Sequence, residues 1–158
     1  MAITYNANTE LKKIIGTGIK FPLSTPVTAP KNILLETVSG VDVIKQSIYL
    51  ILSTRLGSRF NNPEFGSNLQ TLLFEPLDGV LFQLIELYVT DAIRRWEKRI
   101  TIQAVDITEQ DEHTLLIKIN FIINKTRSLG SYVYPFVRNP MPENELVLGK
   151  ASIGFINF

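Results

Sequence analysis

The sequence contains no cysteine and a single histidine. The first absence excludes thiol nucleophiles, cysteine-ligated zinc and disulfide staples, and it is neutral about compartment. The second leaves His113 as the one imidazole base, set in the polar run Glu109-Gln110-Asp111-Glu112-His113 with no G-x-S-x-G elbow in the chain, so no Ser-His-Asp triad is available. A loop histidine without partners reads as a solvated side chain, and neither a histidine-held metal nor a cofactor is expected. Phosphate-cradling motifs are also missing: Gly16-Thr17-Gly18 runs into Ile19-Lys20-Phe21-Pro22, which cannot start the helix that such a fingerprint requires. Charge of one sign is lacking too. Against 16 Lys+Arg stand 15 Asp+Glu, a formal net charge of +1, so no global field draws the chain to nucleic acid or anionic lipid. Apolar stretches such as Ile48 to Leu52 fall far short of the ~20 residues that span a bilayer, and no integral membrane segment is expected. The opening Met1 to Asn8 has no basic region followed by an apolar one, which gives the expectation of synthesis in the cytoplasm.

What is present suits one globular domain: 158 residues, 45% apolar and 20% charged, enough to bury a core without staples. Pro22, Pro26 and Pro30 punctuate the stretch from Lys20 to Gly40, which reads as a loop or short extended arm. From Val41 the spacing of Val41, Ile44, Ile48, Ile51 and Leu52 predicts a helix over Val41–Arg55, started by Ser39-x-x-Asp42 and stopped at Arg55 and Gly57. Val43 and Leu50 lie off that stripe, so the helix is expected to be contacted on more than one side. Turn formers crowd Arg59 to Asn68, and Leu69, Leu72 and Leu73 suggest a short helix ended by Pro76, Asp78 and Gly79. The longest predicted element is a helix from about Val80 to Trp96, with Leu81, Leu84, Ile85, Tyr88, Ala92 and Trp96 on one face and Arg94 and Arg95 in its last turn.

After Arg99 the period becomes two. Ile100 to Ile107 reads as a strand, Leu115 to Ile123 as a second, and Tyr132, Tyr134 and Phe136 as a third that Pro135 confines to an edge or strand end, with Glu109 to His113 as the first hairpin loop. Leu115 to Ile123 has the cleanest alternation and is expected to be central. Helices followed by antiparallel strands give an α+β fold, two or three helices packed on one face of a small, mostly antiparallel sheet. The expected organisation is an N-terminal arm over 1–17, a single domain over 18–136 and a C-terminal extension over 137–158, whose Glu143 to Phe158 has too few apolar residues to form a core alone.

Paired carboxylates are the catalytic option left by the composition, and Glu64 and Glu75 flank the short helix. A glycosidase needs two such groups across a cleft; the plainer reading makes Glu64 a cap of the turn at Phe65 to Ser67 and Glu75 an exposed terminal charge. Arg94, Arg95, Lys98 and Arg99 around Trp96 form a basic cluster, but Glu97 within it favours ion pairing at a protein interface over nucleic-acid binding.

Several ordered blocks are recognisable: Gly18 to Leu23, Val43 to Ile48, Leu52 to Arg59, Pro63 to Ser67, Leu73 to Glu75, and Arg95-Trp96-Glu97-Lys98-Arg99-Ile100. Over about Gly18 to Thr126 the chain closely resembles the small baseplate wedge proteins of contractile tails, a family that includes the sheath initiators of contractile phages, R-type bacteriocins and contractile injection systems, and a type VI secretion baseplate subunit. The last block is similar to the family's Trp/Tyr-Glu-Pro-Arg-Ile signature, with Lys98 in place of the proline that would fix φ at the helix exit. The resemblance implies a non-enzymatic subunit present in six copies around a tail axis. It implies further that the subunit joins the wedge core bundle near the inner tube or spike hub and offers a sheet edge to the first sheath ring. Glu97, Arg99, Trp96, Arg95, Glu64 and Phe65 would then lie at subunit interfaces. Some members carry a historical "tail lysozyme" label, so a peptidoglycan hydrolase is the alternative, and a sheath-related interaction module a third reading.

Overall fold

The computed structural model describes residues 15–22, 36–111 and 113–138. Strands β1 (Thr17–Ile19) and β2 (Thr37–Ser39) pair antiparallel, so the margins of the stretch read as an arm are a small two-stranded sheet. Gln46 fastens that sheet to the helix behind it, accepting from the Phe21 N–H at 3.0 Å and donating to the Ile19 carbonyl at 2.6 Å, while Lys20 and Glu36 form an ion pair at 2.6 Å. Most of the expected N-terminal arm and all of the extension beyond Arg138 lie outside the described residues; Ile15, assigned to the arm, packs into the core at 6% exposure.

Helix α1 (Val41–Ser53) buries Ile44, Ile48, Ile51 and Leu52, the i, i+4, i+7, i+8 pattern of one helical face. Its start differs from expectation. The N-cap is Gly40, which has no side chain to offer, and no capping bond from Ser39 or Asp42 forms. It also ends earlier, because Thr54 turns extended and its own Oγ1 donates to the Leu50 carbonyl at 2.6 Å. A short 3-10 turn (Leu69–Leu72) buries Leu69 and Leu72 and stops before Leu73. Asp78, expected to end that element, instead opens α2 (Gly79–Trp96): its carboxylate accepts from the Leu81 N–H at 2.8 Å, which satisfies one of the donors left free at a helix start. The face of α2 that turns inward is Leu81, Ile85, Val89, Ala92 and Ile93. Val89 and Ile93 replace Leu84, Tyr88 and Trp96, which are half-buried at the margin of the stripe.

Three antiparallel strands follow in the order β3 (Ile100–Asp111), β4 (Thr114–Ile123), β5 (Leu129–Val137), with β4 central and Pro135 on an edge strand where a missing donor costs no ladder bond. Strand β3 runs on to Asp111, so the loop expected over Glu109 to His113 is mostly strand; Glu109 pairs with Leu115 and Asp111 with Thr114. Leu115, Ile117, Ile119, Phe121 and Ile123 are each at most 1% exposed and form one core with the inner faces of α1 and α2. The result is the expected α+β layering, with α1 and α2 on one side of the sheet. Phe121 faces Gly130 across the ladder, and its ring fills the space a side chain there would occupy: a Cβ on Gly130 would lie 2.5 Å from it.

Candidate functional site

The residues expected at interfaces converge on the C-terminal end of α2. The chain leaving α1 folds into a turn over residues 54–67 that closes on itself: Ser67 N–H donates to Thr54 O at 3.0 Å, Leu56 N–H to Ser67 O at 3.2 Å, Gly57 N–H to Pro63 O at 2.7 Å and Phe65 N–H to Asn62 O at 3.1 Å. The buried Ser67 hydroxyl donates to Leu52 O at 3.0 Å. Gly66 makes this closure possible, since its φ is 120° and a Cβ there would sit 2.3 Å from the Thr54 carbonyl oxygen. Backbone bonds therefore shape the turn, and the capping role expected of Glu64 is not taken up; its carboxylate reaches α2 and pairs with Arg95.

On this scaffold the aromatic and cationic groups interleave. The Phe65 and Trp96 rings lie 5.2 Å apart and are tilted by 58°, the Arg59 guanidinium sits 3.8 Å above the Phe65 ring, and Arg95 lies 5.5 Å from the Trp96 ring. Phe60, next to Arg59, is fully exposed. Four of the six residues expected at interfaces, Glu64, Phe65, Arg95 and Trp96, thus form one surface cluster, and Glu97 and Arg99 form the corner beside it. Sequence reasoning missed Arg59 and Phe60 as members, although an arginine and an aromatic in so polar a turn were the available signal; the backbone demand on Gly66 had none.

The corner is an ion pair within the chain. Glu97 is 3% exposed and accepts from the Arg99 backbone N–H at 3.1 Å and from Nε at 2.7 Å, with Nη2 completing the fork; Arg99 Nη1 donates to the Ile15 carbonyl at 3.2 Å. Burial pushes the Glu97 carboxyl upward, but the Arg99 hydrogen bond, one from Ser47 and the attraction of the guanidinium outweigh it, so the group lies below its ordinary value. Bonding to Glu97 raises Arg99 in turn, against the opposing effect of its own burial. The pair therefore joins α1, α2, β3 and the segment at Ile15. Lys98, standing where the signature has proline, is held without ring closure: its Nζ donates to Arg94 O at 2.8 Å, and its carbonyl accepts from Asn124 Nδ2 at 3.0 Å.

Chemically, the site offers little enclosure. A cavity of about 70 Å³ lies between the turn and α2, lined by Glu64, Ser67, Tyr88, Asp91, Arg95 and Trp96 among others, whereas small-molecule sites occupy roughly 300–1,000 Å³. Glu75 is exposed, and its carbonyl accepts from Arg138. His113 is exposed in the β3–β4 hairpin, its N–H on Asp111 at 3.0 Å. Among the described residues no group of three or more His, Cys, Asp and Glu is placed to hold a metal, and no helix is long and apolar enough to cross a membrane.

Residues 38–128 match the family described as baseplate wedge protein gp25. The chain is 36% identical over 85 residues to the baseplate wedge protein gp25 of Enterobacteria phage T4, covering 53% of this chain and 64% of that protein. It is 35% identical over 99 residues to baseplate protein W of Escherichia phage P2, covering 63% and 86%. Among solved structures, a Geobacter sulfurreducens protein provisionally described as a tail lysozyme superposes with a TM-score of 0.60 at 31% identity over 65% of this chain and 94% of the other. A chain of the post-contraction pyocin R2 baseplate superposes with a TM-score of 0.51 at 26% identity over 64% and 97%.

Proposed function

The chain belongs to the baseplate wedge protein gp25 family and is a structural component of the baseplate of a contractile tail or tail-like particle, within which we propose that it joins the wedge core and starts sheath assembly. The observation that carries this reading is the position of the match: residues 38–128 include the whole turn, α2 and the Glu97–Arg99 corner. Synthesis is cytoplasmic and six copies surround the tail axis, with sheath, core-bundle and inner tube or spike hub proteins as neighbours. Among the described residues β3 and β5 are the outer strands of the sheet, and an added strand from a sheath arm gains main-chain hydrogen bonds with little dependence on side chains. The cluster of Glu64, Phe65, Arg95 and Trp96, with Arg99 at its margin, is the contact surface toward the wedge. No nucleic acid and no cofactor take part. Deletion and complementation in cells producing the particle test this role: without the chain, tubes should carry no sheath, and the full-length chain should restore it. Sheathed, contractile particles assembled without the chain would refute it.

The name of the Geobacter relative keeps peptidoglycan hydrolysis as the competing reading. Against it stand the engagement of Glu64 by Arg95 and the small adjoining cavity. Purified chain should leave a cell-wall suspension turbid. Clearing that is lost in folded Glu64→Gln or Glu75→Gln variants would establish the enzyme instead.

A further inference from the structure

We propose that the face built on the turn and the end of α2 recognises an acidic segment of a neighbouring protein subunit, with Arg59 and Phe60 as its central contacts. This deepens the reading of that cluster as an interface and rests on it. The observations concern charge, exposure and rigidity together. Arg55, Arg59, Arg94, Arg95 and Lys98 are all exposed on the turn or at the end of α2. Arg95 is neutralised by Glu64, and Lys98 spends its ammonium on a backbone carbonyl. Among the described residues Arg55, Arg59 and Arg94 have no carboxylate partner, and Arg59 has only the Phe65 ring beneath it. A guanidinium stacked on an aromatic face keeps its in-plane N–H fork free, the geometry that takes a carboxylate in two parallel bonds.

Phe60 makes the face more than a solvated basic patch. It is 102% exposed although it stands in a turn closed by short backbone bonds, so the side chain is held out by a rigid support. An exposed aromatic beside an arginine supplies the two kinds of side chain, a large apolar ring and a guanidinium, at which binding energy concentrates in protein interfaces. The acids on the same face argue for a protein partner over a phosphate backbone. Glu64 and Asp91 line the cavity beside Arg95, where a continuous run of phosphates would be repelled and separate carboxylates could be spaced to avoid them. A phosphate-tracking surface also needs many cations in line, and three uncommitted arginines are few.

The test uses assembled particles that contain the full-length chain and reads two crosslinks. A carbodiimide joins an amine to a carboxylate with no spacer, so it is applied to particles carrying Arg59→Lys, with native Lys98 as a second amine, and the joined peptides are identified by mass spectrometry. Separately, Phe60 is replaced by p-benzoylphenylalanine and the particles are irradiated, which captures whatever covers that position regardless of charge. The expected result is an amide from position 59 or 98 to an Asp or Glu of another baseplate subunit, with the photocrosslink landing in the same segment, and loss of both when Arg59→Glu particles are treated alike. A photocrosslink to a subunit with no carbodiimide product at either amine would overturn the acidic partner and leave the interface standing. Capture of nucleic acid would overturn the choice of partner class. No capture from position 60 in intact particles would sink the interface itself.

Discussion

Replacing Arg99 by alanine removes the guanidinium and leaves the Glu97 carboxylate, 3% exposed, with only the backbone N–H of residue 99 and Ser47 beside it. Breaking one side of a buried pair costs about 3–5 kcal/mol, because the remaining charge stays desolvated. The Arg99 side chain is 35% exposed, so water enters the space it vacates, and the lower end, ~3 kcal/mol, is the expected loss. At roughly 2–4 °C per kcal/mol for a chain of this size, the melting temperature should fall by about 6–12 °C. Trp96 is the one tryptophan and sits next to the corner, so its fluorescence reports the transition directly. The joint replacement Glu97→Leu with Arg99→Leu should recover most of the loss, since removing both charges leaves none uncompensated. Acid provides a second check. The folded carboxyl lies below its ordinary value, so the pair's contribution is complete above that ordinary value and fades as pH falls through the folded one; the gap between native and Arg99→Ala proteins must narrow there. Because both partners belong to one chain, the deficit should appear in the isolated subunit. An Arg99→Ala subunit melting within about 2 °C of the native one, where ~1 kcal/mol is the limit of such a shift, would refute this account.

Other expectations follow from single contacts. Gly66→Ala forces a Cβ onto the Thr54 carbonyl and a side chain into positive φ, at a cost on the order of 1–3 kcal/mol from the backbone alone; hydrogen exchange should show the turn's amides losing protection before the sheet's. Gly130→Ala drives the fully buried Phe121 ring out of its place, and overpacking of that kind costs about 1–3 kcal/mol, measurable as a lowered urea midpoint. Burial first, then the neighbouring Tyr134 and Tyr49, pushes Tyr132 up to about 12, and burial with Tyr49 does the same for Tyr134. The unfolded chain ionises both earlier, so stability should fall as pH rises from about 10 toward 12, and phenolate absorbance should lose its latest-titrating component in a Tyr132→Phe, Tyr134→Phe double variant.

Elements whose apolar period is long and clean could be read from the residues alone. The apolar spacing of α1 and α2 and the alternation of Leu115 to Ile123 made the helices, the central strand and the α+β class legible, although in α2 the choice of inward face between Val89 with Ile93 and Leu84 with Tyr88 and Trp96 was set by packing. Boundaries were less so. Ser39-x-x-Asp42 looks like a capping box, yet Gly40 begins the helix, and Asp78 looks like a terminator but is a cap, because a short polar side chain serves either end until the backbone direction is set. The order of blocks named the family, since ordered matches carry more information than any lone motif, and it pointed to six residues as an expected contact surface. How those residues meet was set by packing between elements distant in the chain. Glu64 and Arg95 are 31 positions apart, and whether Glu64 capped its own turn or crossed to α2 depended on where the two elements packed. Gly66 and Gly130 are likewise unremarkable as letters. Each is required by a group brought up from elsewhere, the Thr54 carbonyl in one case and the Phe121 ring in the other, and such an approach is a property of the fold and not of the local sequence.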